Sequence, residues 1–152
     1  MAIDRADWHW DSAEKAYRER TGKQGELTEE QQDEVWHYAA DHIGLFLRWI
    51  IDNGYEGTDE DIVDRNECER VRSGELSGAD YLINNCDGKF WEDDLCEEII
   101  PFVNDYYEQY LKDYAEIAAG GKCYTLLSGD KEYNRIRPVI DEAYENFRKK
   151  NR

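Results

Sequence analysis

The stretch from Thr28 to Gly54, TEEQQDEVWHYAADHIGLFLRWIIDNG, constrains the fold more than any other part of the chain. It predicts one long helix. Thr28 followed by Gln31 fits a capping box, and Glu29, Glu30 and Asp33 put negative charge on the positive end of the helix dipole. Asn53-Gly54 supplies a stop where left-handed backbone is tolerated. Val35, Trp36, Ala39, Ala40, Ile43, Phe46, Leu47, Ile50 and Ile51 recur at helical spacing, leaving a polar line of Glu34, His37, Asp41, Arg48 and Asp52. A helix apolar over most of its circumference is a central one, packed on several sides. Gly44 in its middle costs helix propensity, which predicts close approach by another element.

The flanking signals predict a mainly α protein: a compact multi-helix single domain, residues 1–152, around a central buried helix over about residues 29–53. Residues 1–11 read as an irregular lead-in whose aromatics dock on the core. A short helix runs from Ser12 to Thr21, and another from Thr58 to about Arg72 with Ile62, Val63 and Val71 inward. Ser77 caps a short helix that Asn84-Asn85 stops, and Asp87-Gly88 marks a turn. Glu92-Asp93-Asp94 forms an acidic first turn for a helix over Leu95 to Ile100. Pro101 either kinks that helix or sits in the first turn of the next. From there to Gly120-Gly121 the chain is periodic, with Tyr106, Tyr107, Tyr110 and Tyr114 on one apolar face that favours core packing. Residues 123–127 predict a short extended segment, and Asp130 to Phe147 a last helix that Pro138 splits.

Charge narrows the function. The chain has 36 acids against 19 bases, for a net charge of −17. Residues 56–98 hold 15 of the acids and only 4 bases, whereas residues 99–152 are balanced at 9 and 9. Such a surface repels nucleic acid and anionic membranes, so neither is an expected partner, and it complements a basic protein. The first residues, MAIDRADWHW, contain no apolar run with a basic flank, and no stretch is apolar enough to span a bilayer. The expectation is a cytoplasmic protein with Cys68, Cys86, Cys96 and Cys123 as reduced thiols, since no CxxC pairing occurs.

No motif identifies chemistry. His37 and His42 are five residues apart and do not share a helix face as a metal pair would, so no metal site is expected. CDGKFWEDDL lacks the alternating oxygen ligands of a calcium loop. There is no phosphate loop, dinucleotide fingerprint or nucleophile elbow, and hence no expected cofactor, no assigned catalytic residue and no expectation of an enzyme. The one enzymatic alternative requires His9, His42, Asp87 and Tyr107 to converge in one pocket.

Four blocks in order, Trp8-His9, HIGLFLRW (His42 to Trp49), CDGKF…DL (Cys86 to Leu95) and YYEQYLKDY (Tyr106 to Tyr114), resemble a family of small, acidic, uncharacterised bacterial proteins. The likeness covers roughly residues 4–115. Such proteins are similar to the immunity proteins of bacterial toxin systems, and the resemblance implies a protein that neutralises a basic toxin domain by binding it. The expected contact comprises Glu60, Asp61, Asp64, Glu67, Glu69, Glu92, Asp93 and Asp94, with Tyr55 or Trp91 as aromatic anchors. A nucleic-acid mimic that occupies a DNA-binding enzyme is the alternative that shares the acidic surface.

Overall fold

Thr28 opens the longest helix as its sequence requires. Its hydroxyl accepts the Gln31 N–H at 3.1 Å, and the Gln31 side chain accepts the Thr28 N–H at 2.9 Å. The structure is a computed structural model that describes residues 2–151. Among these, six α-helices occur: α1 (Trp10–Thr21), α2 (Glu29–Asp52), α3 (Arg65–Arg72), α4 (Gly78–Asn85), α5 (Ile100–Asp113) and α6 (Asp130–Lys150). Two short strands, β1 (Ala2–Arg5) and β2 (Lys89–Trp91), pair antiparallel. The protein is therefore mainly α, and its buried side chains form one cluster around α2.

The apolar run of α2 is covered on all sides. Phe46 packs its ring against Tyr110, Tyr107 and Phe90 at centroid distances of 4.7, 5.3 and 6.1 Å. Trp49 meets Phe102 of α5 and Tyr144 of α6, each at 5.8 Å, and donates its indole N–H to Asp141 at 2.8 Å. All four tyrosines of the ladder, three on α5 and Tyr114 in the turn that follows it, are buried, in line with their reading as core. Gly44 has the role expected of it. The start of α4 crosses so closely that a Cβ on Gly44 would lie 2.2 Å from the Ala79 nitrogen, and one on Gly78 would lie 1.8 Å from the Gly44 carbonyl oxygen. Two glycines thus let backbone meet backbone.

His37 ties the same two helices together. Its Nε2 lies 2.8 Å from an Asp80 carboxylate oxygen and its Nδ1 lies 2.8 Å from the Asp33 carbonyl. Burial disfavours the charged ring, but these two acceptors more than offset that and raise its pKa above the ordinary 6.5. A raised value means that the contribution to stability is fully present below pH 6.5 and is lost as pH rises through the higher folded-state value. The melting-temperature gap between the natural protein and a His37→Gln variant should therefore be larger at about pH 5.5 than at about pH 9. At this half-buried position the gap corresponds to at most about 1 kcal/mol.

Several expectations are corrected. Residues 123–127 contain no strand; they turn irregularly, with Tyr124 at a positive φ of 66°. The helix expected from Thr58 begins only at Arg65, capped by the Asp64 carboxylate; residues 55–57 are held extended against 94–96, and only one turn, closed on the Asp59 carbonyl, precedes the cap. Glu56 and Leu95 form an isolated antiparallel bridge, so Leu95 is extended rather than helical. Ile62 lies 43% exposed rather than inward. On the polar line of α2, Asp41 is buried and accepts hydrogen bonds from the Tyr114 hydroxyl and from the Ser128 N–H and hydroxyl, all at 2.6 Å. Pro138 lies on an exposed face and leaves α6 unbroken. The lead-in forms β1 and a 3₁₀ turn, and Trp8 stays 55% exposed while Trp10 packs on Trp36.

Candidate functional site

Three sequence-distant segments meet at the middle of α2. Strand β1 pairs with β2 so that Asp4 stands opposite Phe90 and its side chain enters the core. The 3₁₀ turn Ala6–His9 follows and brings His9 over the same point. His42 projects from α2, and Tyr107 from α5. The π-helical turn Tyr114–Ala118 ends α5, and the loop after it returns Tyr124 to His9.

The resulting cluster is tightly bonded. One Asp4 oxygen lies 2.7 Å from His9 Nε2 and accepts the Arg5 N–H at 2.8 Å. The other lies 3.1 Å from His42 Nε2 and accepts the Tyr107 hydroxyl at 2.8 Å. The two histidine Nε2 atoms are 3.2 Å apart, and His9 Nδ1 lies 2.7 Å from the Tyr124 hydroxyl. Burial opposes charge on Asp4, yet the hydrogen bonds from His42 and His9 outweigh it and hold the carboxyl well below the usual range. Burial lowers the His42 pKa against the pull of Asp4. Asp4, His9 and His42 each offer one ligand atom, all within 4.8 Å of one another.

His9, His42 and Tyr107, three of the four residues of the enzymatic alternative, therefore do converge. Asp87 does not: its exposed side chain lies 3.7 Å from Lys89 Nζ, and Asp4 supplies the carboxylate instead. Spacing along one helix could not reveal this set, because the partner of His42 is 33 residues away.

The predicted contact residues divide into two groups. On α3, Glu67 pairs with Arg70 at 2.8 Å, Glu69 pairs with Arg72, and Asp64 caps the helix through the Asn66 and Glu67 N–H groups. Glu60 faces Arg65 at 3.3 Å. Asp94 is buried and accepts the Trp91 N–H at 2.8 Å. Tyr55 is half-buried between Trp49 and Tyr144, and Trp91 is half-buried in β2.

The second group lines an open groove. The Gly57 N–H donates to the Asp94 carbonyl and the Cys96 N–H to the Tyr55 carbonyl, both at 2.9 Å, which joins the two acidic segments side by side. Asp59, Glu92, Asp93 and Glu97 border the groove, with Ile62, Leu95 and Ile100 between them. Glu92 accepts from Asn104 at 3.0 Å. Among the described residues no basic side chain pairs with Asp59, Asp61, Asp93 or Glu97. Asp59 and Glu97 lie outside the contact expected from the sequence, since only the pairing of the two segments makes them neighbours.

Fold and site together define a mainly α protein with a two-histidine, one-carboxylate cluster, buried except at His9, and an acidic external groove. Residues 2–126 match the family described as a domain of unknown function, DUF7832, and the chain belongs to that family. The match includes the whole cluster and both walls of the groove, and α6 lies beyond it. No curated protein and no solved structure matches the chain. All four cysteines are free thiols, and among the described residues no helix is long and apolar enough to cross a membrane.

Proposed function

We propose that this chain is a binding protein that holds a basic segment of another protein in the groove between residues 57–62 and 92–100. The likeness to immunity proteins makes a bacterial toxin domain the partner of choice, met in the cytoplasm. One observation carries the reading: segments more than thirty residues apart are joined so that Asp59, Asp93 and Glu97, without basic partners among the described residues, line the same groove as the exposed apolar side chain of Ile62. Unpaired rim carboxylates speed encounter with a cationic partner, and a small apolar floor gives it something to bury. The α3 acids contribute less, because their own arginines already neutralise them. The same pairing interrupts the long phosphate-like row that nucleic-acid mimicry requires.

The test is co-expression and co-purification with the protein encoded beside this one. The complex should weaken at least about tenfold when ionic strength rises from about 0.05 M to about 0.5 M, where the screening length shrinks to a few ångströms. The triple change Asp59→Lys, Asp93→Lys, Glu97→Lys should weaken it comparably, whereas Glu69→Lys should change it little. All four positions are exposed, so the fold stays intact. Association indifferent to salt and to the triple change would contradict the proposal.

A further inference from the structure

We infer that Asp4, His9 and His42 bind a divalent transition-metal ion, through the Asp4 carboxylate and the Nε2 atoms of both histidines. The geometry is that of a coordination sphere. His9 Nε2 lies 2.7 Å from Asp4 Oδ1, His42 Nε2 lies 3.1 Å from Asp4 Oδ2, and the two nitrogens are 3.2 Å apart, so Asp4 turns one oxygen to each histidine and the ligand atoms of the three residues lie within 4.8 Å of one another. Ligands at about 2.1 Å from a common ion stand about 3.0 to 3.4 Å from one another, at octahedral and tetrahedral angles respectively.

The ligands are also held from behind. The second ring nitrogen of His9 rests on the Tyr124 hydroxyl, which fixes the ring and leaves Nε2 free to coordinate. The Tyr107 hydroxyl and the Arg5 N–H hold the two oxygens of Asp4. Outer partners of this kind orient metal ligands and raise their affinity. Tyr124 reaches its place through a positive φ of 66°, a backbone state that an aromatic residue rarely adopts.

Proton accounting favours the ion. If both Nε2 atoms carry protons toward Asp4, two N–H groups crowd each other at 3.2 Å. If one is bare, its lone pair faces a carboxylate. A cation between them relieves both conflicts. The His9 side chain is 18% exposed, whereas Asp4 and His42 are each 4% exposed, so an ion enters past His9. Two imidazoles and a carboxylate select zinc-like or iron-like ions over magnesium and calcium, and three protein ligands leave at least one position for water.

The experiment strips the protein with chelator and titrates it with Zn2+ by calorimetry, with Mg2+ as control. One Zn2+ per chain and no Mg2+ binding are expected. His9→Ala, at the partly exposed ligand, should weaken Zn2+ at least about a hundredfold, and Tyr124→Phe about tenfold. Long-range proton–nitrogen spectra of the unaltered protein give a readout that needs no variant. The Nε2 resonances of His9 and His42 should shift on adding Zn2+ while those of His37, bonded to Asp80 and Asp33, should not. Absence of stoichiometric Zn2+ binding, binding retained in His9→Ala, or shifts at His37 instead of the other two would each overturn the proposal. The groove proposal is independent of these results.

Discussion

Gly78→Ala should unfold this protein more readily than the same change at any other glycine. The new Cβ would lie 1.8 Å from the Gly44 carbonyl oxygen, and that oxygen belongs to the backbone of α2, which has no rotamer to change. Relief requires α4 to lift off α2. That movement opens the contact between the buried Leu82 and Tyr81 and the α2 core, and disturbs the His37–Asp80 tie. Overpacking against flexible neighbours costs about 1 to 3 kcal/mol, and a backbone-to-backbone clash belongs at or above the top of that range. A loss of about 4 kcal/mol would lower the melting temperature by about 8 to 16 °C in a chain of this length. Gly44→Ala should behave similarly, since its Cβ would meet the Ala79 nitrogen at 2.2 Å. Gly129→Ala is the control: nothing lies within 4 Å of the added carbon, and its change, limited to the helix N-cap it occupies, should stay at or below about 1 kcal/mol. Urea unfolding of the three variants by circular dichroism checks the order.

Asp4→Ala is the second large effect. The carboxylate engages four groups at once: it accepts the Arg5 N–H and the Tyr107 hydroxyl and lies within hydrogen-bond distance of Nε2 of both His9 and His42. Tyr107 and His42 are buried, so water does not readily replace what they lose. Removing one member of a buried charged network leaves its partners unsatisfied at a cost of about 3 to 5 kcal/mol. The amino-terminal strand should also loosen, because Asp4 is its one fully buried side chain. Faster hydrogen exchange is expected at Arg5, Ala6 and the facing residues of β2, with α6 unaffected. Asp4→Asn keeps one acceptor oxygen and should cost less.

These two sites differ in how far the sequence discloses them. Gly44 is legible because a glycine in the middle of an apolar helix weakens the helix and fills no space, so a close backbone neighbour is what gives it a use. The Thr28 cap, the tyrosine ladder and the turn at Asp87-Gly88 are local patterns of the same kind. Asp4 is not legible. It is one of 36 acids, and its importance arises only when β1 pairs with a strand about 85 residues later. Neither strand is long enough to display an alternating pattern. Residue type alone points to His9, His42 and Tyr107, but it points equally to Asp87 for the carboxylate, and Asp87 is a turn residue with positive φ and an exposed side chain. The apolar run at 123–127 suggests a strand only while its tertiary partners are unknown. Its course is set by Ser128 bonded to Asp41 and Tyr124 bonded to His9, which hold it as an irregular connection. The late start of α3 has a similar cause. Residues 55–57 are committed to hydrogen bonds with 94–96, and after Thr58 the chain closes only one turn, with the Val63 N–H donating to the Asp59 carbonyl at 2.8 Å, before Asp64 caps α3.

That Asp4 meets His42 inside the protein is the contact on which the whole arrangement depends, and a double-mutant cycle measures it. Asp4→Asn, His42→Leu and the pair together are unfolded in urea with chelator present, so that no metal contributes. The pair should be less damaging than the sum of the single changes by about 1 to 2 kcal/mol, because the partners share one network. Changes that simply add, to within about 0.3 kcal/mol, would mean the two residues do not touch and would contradict the structure at its centre.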